Sequence, residues 1–250
     1  MAVFQAALLN EVEKLYKKKK AFVAIILSLS MIVLGQLIIV GVRTGFGVRG
    51  VGSAEFPILV LSVVVNTILP LFTALVAIDS FSGEFSHNMM RITLTRPVSR
   101  FKVFSAKVTA ISLFILANLL LLLVFSELAG FLFNANSASF GGFARTVLAY
   151  LVSFLPMLVL ALGIVLLANI FKSGISVFFL SILFFLVFKV LGVFFSSYAS
   201  LFITTHLDWY NLWLAHSFPG WKILRQLLIM AGYGIMLFTA GFYLFDKKEF

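Results

Sequence analysis

The sequence predicts an all-α integral membrane protein with six transmembrane helices, and three observations carry the prediction. Of the 250 residues, 62% are hydrophobic and only 11% are charged. Mean hydropathy is +1.14, whereas soluble domains run near half apolar and a quarter charged. The apolar residues are also gathered into six runs of about twenty, the length that spans a bilayer as a helix. A domain of this size leaves too much surface to hide that excess in one globular core. Lipid admits only helices and closed barrels, and barrels show short alternating segments instead of long runs. An ordinary cytosolic enzyme, a disordered protein and a water-filled outer-membrane barrel are therefore excluded.

Residues 1–20 form an amphipathic segment. Phe4, Leu8, Val12 and Leu15 fall on one helical face, while Gln5, Asn10, Glu13, Lys14 and Lys17 occupy the rest. With Lys17 to Lys20 and then a span behind it, the segment predicts an interfacial helix on the inner membrane surface. The first span is 21–40. It begins after twenty residues and lacks a small-x-small cleavage site, so it is expected to be retained. The second span is 56–78, with Pro70 as a kink site, and the connection 80–102 follows it. The third, 108–133, is long enough to tilt or to break near Gly130. The fourth is 147–171 with Pro156 as a second kink site, the fifth 175–195 and the sixth 223–245. Between the last two lies the outer loop 196–222, whose Trp209, Trp213 and Trp221 suit the headgroup level. No separate soluble domain fits, so residues 1–250 read as one membrane domain.

Charge sets the orientation. The formal net charge is +10, from 19 Lys and Arg against nine Asp and Glu. Thirteen of the basic residues lie in the N-terminal segment, the second-to-third connection with its flank, the fourth-to-fifth turn and the C-terminal tail, and five lie on the other side. The positive-inside rule then puts both termini in the cytoplasm, in a multi-pass protein of the cell membrane. It also accounts for the basic excess without nucleic acid. Cysteine is absent, which removes disulfides, thiolate metal sites and Cys nucleophiles together.

Few motifs point to chemistry. Gly45-Phe-Gly47-Val-Arg-Gly50 matches GxGxxG, but it follows a membrane span and not the strand of a βαβ unit, so it reads as a turn. No GxxxxGK[ST] occurs, so the chain has no P-loop of its own. His87, His206 and His216 are scattered, and a metal shared by His206 and Asp208 is disfavoured. No catalytic residue and no metal site are expected. Lys189 and Glu127 are the charges inside spans, at similar depths below the outer side. Such charges are costly, and two accounts of Lys189 stand level. It either snorkels outward, or it lines a pathway or pairs with an acid, for which Glu127 is the natural partner. Asn66, Asn118 and Asn169 complete the candidate pathway residues, with interhelical hydrogen bonding as their ordinary role.

The connection 80–102 is the most informative stretch. Phe85, Met89 and Ile92 share one helical face, Met90 and Leu94 widen it, and Pro97 stops the helix. A short cytoplasmic helix with a Met-rich face and a basic exit suits a groove in a partner protein.

At these residues the chain resembles the permease subunit of an ABC transporter of the ABC-2 type. That family shows a Glu just after the second span, a short helix, a Leu-x-x-Pro-x-x-Arg element and a Lys opening the third span. The matches here are Glu84, then Leu94-Thr-Arg-Pro97-Val-Ser-Arg100, then Lys107. Asn10-Glu11-Val-Glu-Lys14 resembles the Asn-Glu-x-x-Lys of the family's interfacial helix, and Gly241-Phe-Tyr-Leu-Phe245-Asp246 its aromatic span end before a basic tail. The sequence departs from the family at His87-Asn88-Met89-Met90-Arg91, where Gly-Thr is common.

The resemblance implies a type V ABC exporter-like fold, with a second permease subunit completing the pore. Separate cytoplasmic ABC ATPase subunits would bind the ATP and Mg²⁺, and this chain would carry no cofactor and no enzymatic activity. The helix at about 83–95 would be the coupling helix, with Gly83, Glu84, Phe85, Met89, Met90, Arg91, Ile92, Leu94, Pro97 and Arg100 as its residues. Phe4, Leu8, Glu11, Val12, Lys14 and Leu15 of the interfacial helix would flank it. The 30 Phe and the few charges within the spans suit an apolar or amphipathic cargo such as a peptide, lipid or drug. A polysaccharide or lipid flippase of the same architecture and a non-transporting scaffold are the competing readings.

Overall fold

A computed structural model describes residues 2–46, 52–83, 99–134, 139–171, 173–215 and 217–248. Nine α-helices are present among them: α1 (Ala2–Lys17), α2 (Lys19–Phe46), α3 (Glu55–Asn66), α4 (Ile68–Ser80), α5 (Arg100–Asn134), α6 (Phe140–Ile170), α7 (Gly174–Phe194), α8 (Tyr210–Trp213) and α9 (Gly220–Asp246). Two 3-10 turns, Ser196–Leu201 and Ile203–Asp208, precede α8. Five helices (α2, α5, α6, α7 and α9) are long and apolar enough to cross a membrane singly. The pair α3–α4, bent by 42°, is long and apolar enough to make a sixth if it crosses as one broken span.

The bend has a local cause. Pro70 has no N–H to donate to the carbonyl of Asn66, and its ring clashes with that carbonyl. The break therefore falls one turn earlier, at Thr67, with φ −133° and ψ −77°. Side chains take up the slack. The N–H of Thr67 donates to Val64 at 3.3 Å. Its hydroxyl donates to the Val63 carbonyl at 2.6 Å, and the Asn66 amide donates to Ser62 at 2.9 Å. Pro156 behaves differently, because α6 runs through it without a break.

The third span is longer than expected. α5 has 35 residues and starts at Arg100, eight positions before the expected 108. Arg100, Lys102 and Lys107 read as loop charges, yet the helix already runs there, with Val103, Phe104 and Ala106 buried between them and Lys107 meeting Glu11. At 1.5 Å per residue α5 is about 52 Å long, well over a bilayer core of about 30 Å. It does not break at Gly130. A Cβ there would lie 2.5 Å from the Ser53 carbonyl oxygen, so glycine lets α5 seat on the turn that opens α3. Gly130→Val should force that turn off the helix, destabilising the protein by about 1–3 kcal/mol, as overpacking does. A thermal melt of the purified protein checks this, and an unchanged midpoint would remove the contact from the account.

Polar residues start two of the spans. Ser139 caps α6 by accepting from the Gly142 N–H at 3.0 Å, and Ser173 caps α7 from Ser176 at 3.4 Å. α6 is the hub of the bundle, packing on α4, α5 and α9. Its core includes Tyr150, whose hydroxyl donates to the Pro57 carbonyl and meets the Ser126 hydroxyl, both at 3.0 Å. α2 and α7 sit at the margin, with most of their apolar surface facing outward. That distribution suits helices in lipid, where an apolar exterior costs nothing.

The segment 196–213 folds back into the bundle. Thr204, His206, Leu207, Trp209 and Tyr210 are buried, and Trp209 packs edge-on against Trp213 at 5.5 Å. Gly192 gives this segment its close approach, since a Cβ there would meet Thr205 Cγ2 at 2.6 Å.

Candidate functional site

Two groups of residues stand out, at opposite ends of the bundle. The first surrounds the connection between α4 and α5. Glu84, Phe85, Met89, Met90, Arg91, Ile92, Leu94 and Pro97 lie outside the described residues, whereas Gly83 and Arg100 lie within them at its two ends.

Both ends are fixed by chemistry that the sequence supplies locally. Before the connection, the Ser82 hydroxyl donates to the carbonyls of Ala168 at 3.0 Å and Phe171 at 3.3 Å. These are carbonyls at the close of α6, which have no further helical N–H to accept from. Phe81 is fully buried and packs edge-on against Phe104 at 5.6 Å and Phe245 at 6.0 Å. After the connection, the Arg100 guanidinium donates to the carbonyl of Asp246 and, at 3.2 Å, to that of Lys248, which tethers the start of α5 to the end of α9. Gly241 permits the same approach, with its Cβ position 3.3 Å from the Phe104 ring.

The N-terminal helix joins this frame. Leu8, Val12 and Leu15 pack against the core, and Phe4 is half-buried on the same face. Glu11, only 5% exposed, lies on this packed side. Its Oε2 accepts from the fully buried Lys107 Nζ at 3.0 Å, and its Oε1 from Lys14 at 2.8 Å. Lys107 Nζ also stands 6.0 Å from the centre of the Phe81 ring, at the range of a cation–π contact. One buried cation thus ties α1, α5 and the residue that enters the connection. Two further lysines, Lys18 at 3.7 Å and Lys20 at 2.9 Å, meet Asp79 at the end of α4. On the exposed side of α1, Lys17 at 2.6 Å holds the Glu13 carboxyl below its ordinary range. Glu11 and Lys107 each belong to the resemblance, but only the fold shows that they meet.

The second group lies towards the other end. Lys189 does not pair with Glu127. Its Nζ meets Asp208 Oδ2 at 3.3 Å, and Asp208 Oδ1 accepts from the Asn66 amide at 2.9 Å. The equal depth of Lys189 and Glu127 was misleading, because α5 and α7 do not pack on each other: α7 packs on α4, α6 and the 3-10 turns, and α5 chiefly on α1, α3 and α6. Glu127 lies beside Thr146 of α6 instead, with its Oε1 buried and without a hydrogen-bond partner. His206 Nε2 donates to the Ser200 carbonyl at 3.0 Å. Among the described residues no cluster of His, Asp and Glu is arranged to hold a metal.

The three asparagines differ. Asn66 bonds across the bundle to Asp208, as expected of a polar residue in a span. Asn118 and Asn169 spend their amide N–H groups on their own helices, donating to Phe114 at 2.9 Å and Val165 at 3.0 Å.

Removing Asp208 tests the second group. Asp208→Asn leaves the Lys189 ammonium unpaired about five residues, or 7–8 Å, from the end of its span. The cost should be about 1–2 kcal/mol, below the bilayer-centre value because the side chain is a third exposed and can reach outward. Lys189→Met added to it should restore the thermal midpoint; a double variant as unstable as the single one would show that the pair is not the cause.

The sequence profile of the family described as ABC-2 family transporter protein matches residues 7–192. That stretch runs from α1 through both ends of the α4–α5 connection to Lys189. Among curated proteins, none matches this chain. The matched stretch is well over half of the chain, and with the helical, apolar architecture it shows a multi-pass membrane permease subunit that belongs to the ABC-2 transporter family.

Proposed function

We propose that the chain is the pore-forming permease of an ATP-driven exporter, working as a pair with a second permease subunit and powered by separate cytoplasmic ATPases. Both termini are cytoplasmic in this reading, and α1 lies along the inner membrane surface. The ATPases bind ATP and Mg²⁺, and the helix at about 83–95 sits in their groove. The cargo is apolar or amphipathic.

The observation that carries the reading is the frame around the connection. Ser82 is bonded to the end of α6, Phe81 is packed between α5 and α9, and Arg100 is bonded to the end of α9. A push delivered to a helix mounted in this way reaches four spans together. The break at Thr67 gives the α3–α4 span a place to bend in response, a hinge of the kind that rigid-body switches use.

The test is reconstitution. Co-expressed with its ATPase, the chain should co-purify with it and support nucleotide-dependent export from vesicles. Co-purification without export of any cargo would leave the scaffold reading standing, and movement of a labelled lipid-linked sugar alone would favour the flippase. Within the pathway reading, Asn66 and Lys189 are the residues to follow. Lys189→Met should impair export if the lysine lines the route.

A further inference from the structure

The segment that folds back between α7 and α9 is held by few bonds, and most are partly exposed. Its first turn, Ser196–Leu201, takes the Arg225 guanidinium on Ser200 Oγ at 3.1 Å and the Tyr233 hydroxyl on the Leu201 carbonyl at 2.7 Å. Its second turn, Ile203–Asp208, is tied to α7 and α3 through Asp208, which meets Lys189 at 3.3 Å and Asn66 at 2.9 Å. One bond from a buried ring joins the two turns to each other. His206, only 1% exposed, donates from Nε2 to the Ser200 carbonyl at 3.0 Å.

That bond fixes the tautomer. A carbonyl only accepts, so the neutral ring carries its proton on Nε2 and leaves Nδ1 bare. Gln226 of α9 lies beside the ring, but its Oε1 and the imidazole Nδ1 are both buried without a hydrogen-bond partner. A second proton would therefore put a full charge into a dry site. Asp208 is the one acid on the two turns, α6 and α7, and it is already engaged by Lys189 and Asn66. On α3, Glu55 stands at the far end and accepts from the Gly52 N–H at 2.9 Å. The remaining charges around the segment are cations, namely Arg145 of α6, bonded to the Leu214 carbonyl, and Lys222 and Arg225 of α9. Tyr150 and Tyr233 spend their hydroxyls on carbonyls, and Tyr210 follows the second turn in α8. Burial holds the His206 imidazole below its ordinary range.

We propose that His206 is an acid-sensitive latch on the segment 196–208. Neutral, it holds the two turns together inside the bundle; with a second proton it leaves its buried place, and the segment opens. Ile203 and Thr204 are among the residues that line an apolar cavity of about 530 Å³ with α4, α6 and α7, so opening removes part of that wall. The latch needs neither an ATPase nor a direction of transport and goes beyond the export reading.

In the opened segment the imidazole titrates at its ordinary value of about 6.5. The hold is complete above that pH and weakens below it, because the opened state takes up a proton that the closed state excludes. The opening equilibrium should rise by up to about tenfold between pH 7.5 and 5.5. Hydrogen–deuterium exchange of the full chain in phosphatidylcholine nanodiscs reads this, with peptides covering residues 203–208 compared at each pH with the same peptides unfolded. Their protection should fall by that factor, while peptides from the buried stretch 157–168 of α6 stay level. His206→Gln keeps a donor for the Ser200 carbonyl and does not titrate, so its profile should be flat. A flat profile in the parent would overturn the proposal, as would protection that rises in acid, the sign that Gln226 Oε1 accepts the second proton in place. A fall that persists in His206→Gln would overturn it too. If that variant fails to insert, the parent decides alone, since a fall that sets in only below about pH 5, where carboxylates titrate, belongs to Asp208 and not to the latch.

Discussion

Phe85→Asp combined with Met89→Asp should release the ATPase and abolish nucleotide-dependent export while the spans still insert. In a helix the two side chains, four residues apart, would share a face with Ile92. In a partner groove each would bury apolar surface worth about 1.5–3 kcal/mol. Losing both weakens association by at least a hundredfold, and the two carboxylates add a desolvation cost of their own. His87→Asp, on the opposite face, is the control and should leave co-purification intact. Pull-down of the ATPase and export from vesicles are the readouts. ATPase binding and export that survive in the double variant would dismiss the coupling assignment.

Glu11→Leu should be the most damaging single change outside that helix, and its effect should not match that of Lys107→Met. Removing Glu11 strips the fully buried Lys107 ammonium of the carboxylate 3.0 Å away. Breaking a buried pair from one side typically costs 3–5 kcal/mol, and the cost here should fall towards or below the low end of that range, because Lys107 keeps its other contacts, the Phe81 ring among them. Lys107→Met removes the buried cation and leaves Glu11 paired with Lys14 at 2.8 Å, so its cost should be smaller. The double variant should then resemble Lys107→Met alone. Protease sensitivity of α1 and the thermal midpoint read the difference. Equal losses in both single variants would mean that the pair does not hold α1 in place.

The apolar helices and the place of the α4–α5 connection were legible in the sequence, because each rests on long apolar runs. The bend at Thr67 was half legible. Pro70 announced a kink, and only the compensating bonds of Asn66 and Thr67 place it. Partner choice was not legible. Lys189 and Glu127 share a depth, but depth says nothing of which helices are neighbours, and Asp208 arrives from a loop that folds inward. The extra eight residues of α5 were hidden for the opposite reason. Its charges suggest a loop, and the burial of Val103, Phe104 and Ala106 between them depends on neighbours that only the packing supplies. Thr204 and Tyr150 carried no signal at all, since a single hydroxyl in an apolar sequence is matched or orphaned only by the packing.

The unbroken length of α5 has a mechanical consequence. A rod of about 52 Å that tilts by about 5° carries its far end through about 4–5 Å. The near end of this rod is bolted to α1 and α9, and the far end rests on Ser53 at Gly130 without the cushion of a side chain. In the coupling proposed above, displacement entering at Arg100 would be delivered to the head of α3, whose other end is the break at Thr67. α5 would then be the connecting rod and α3 the crank, with the stroke set by the length of one helix.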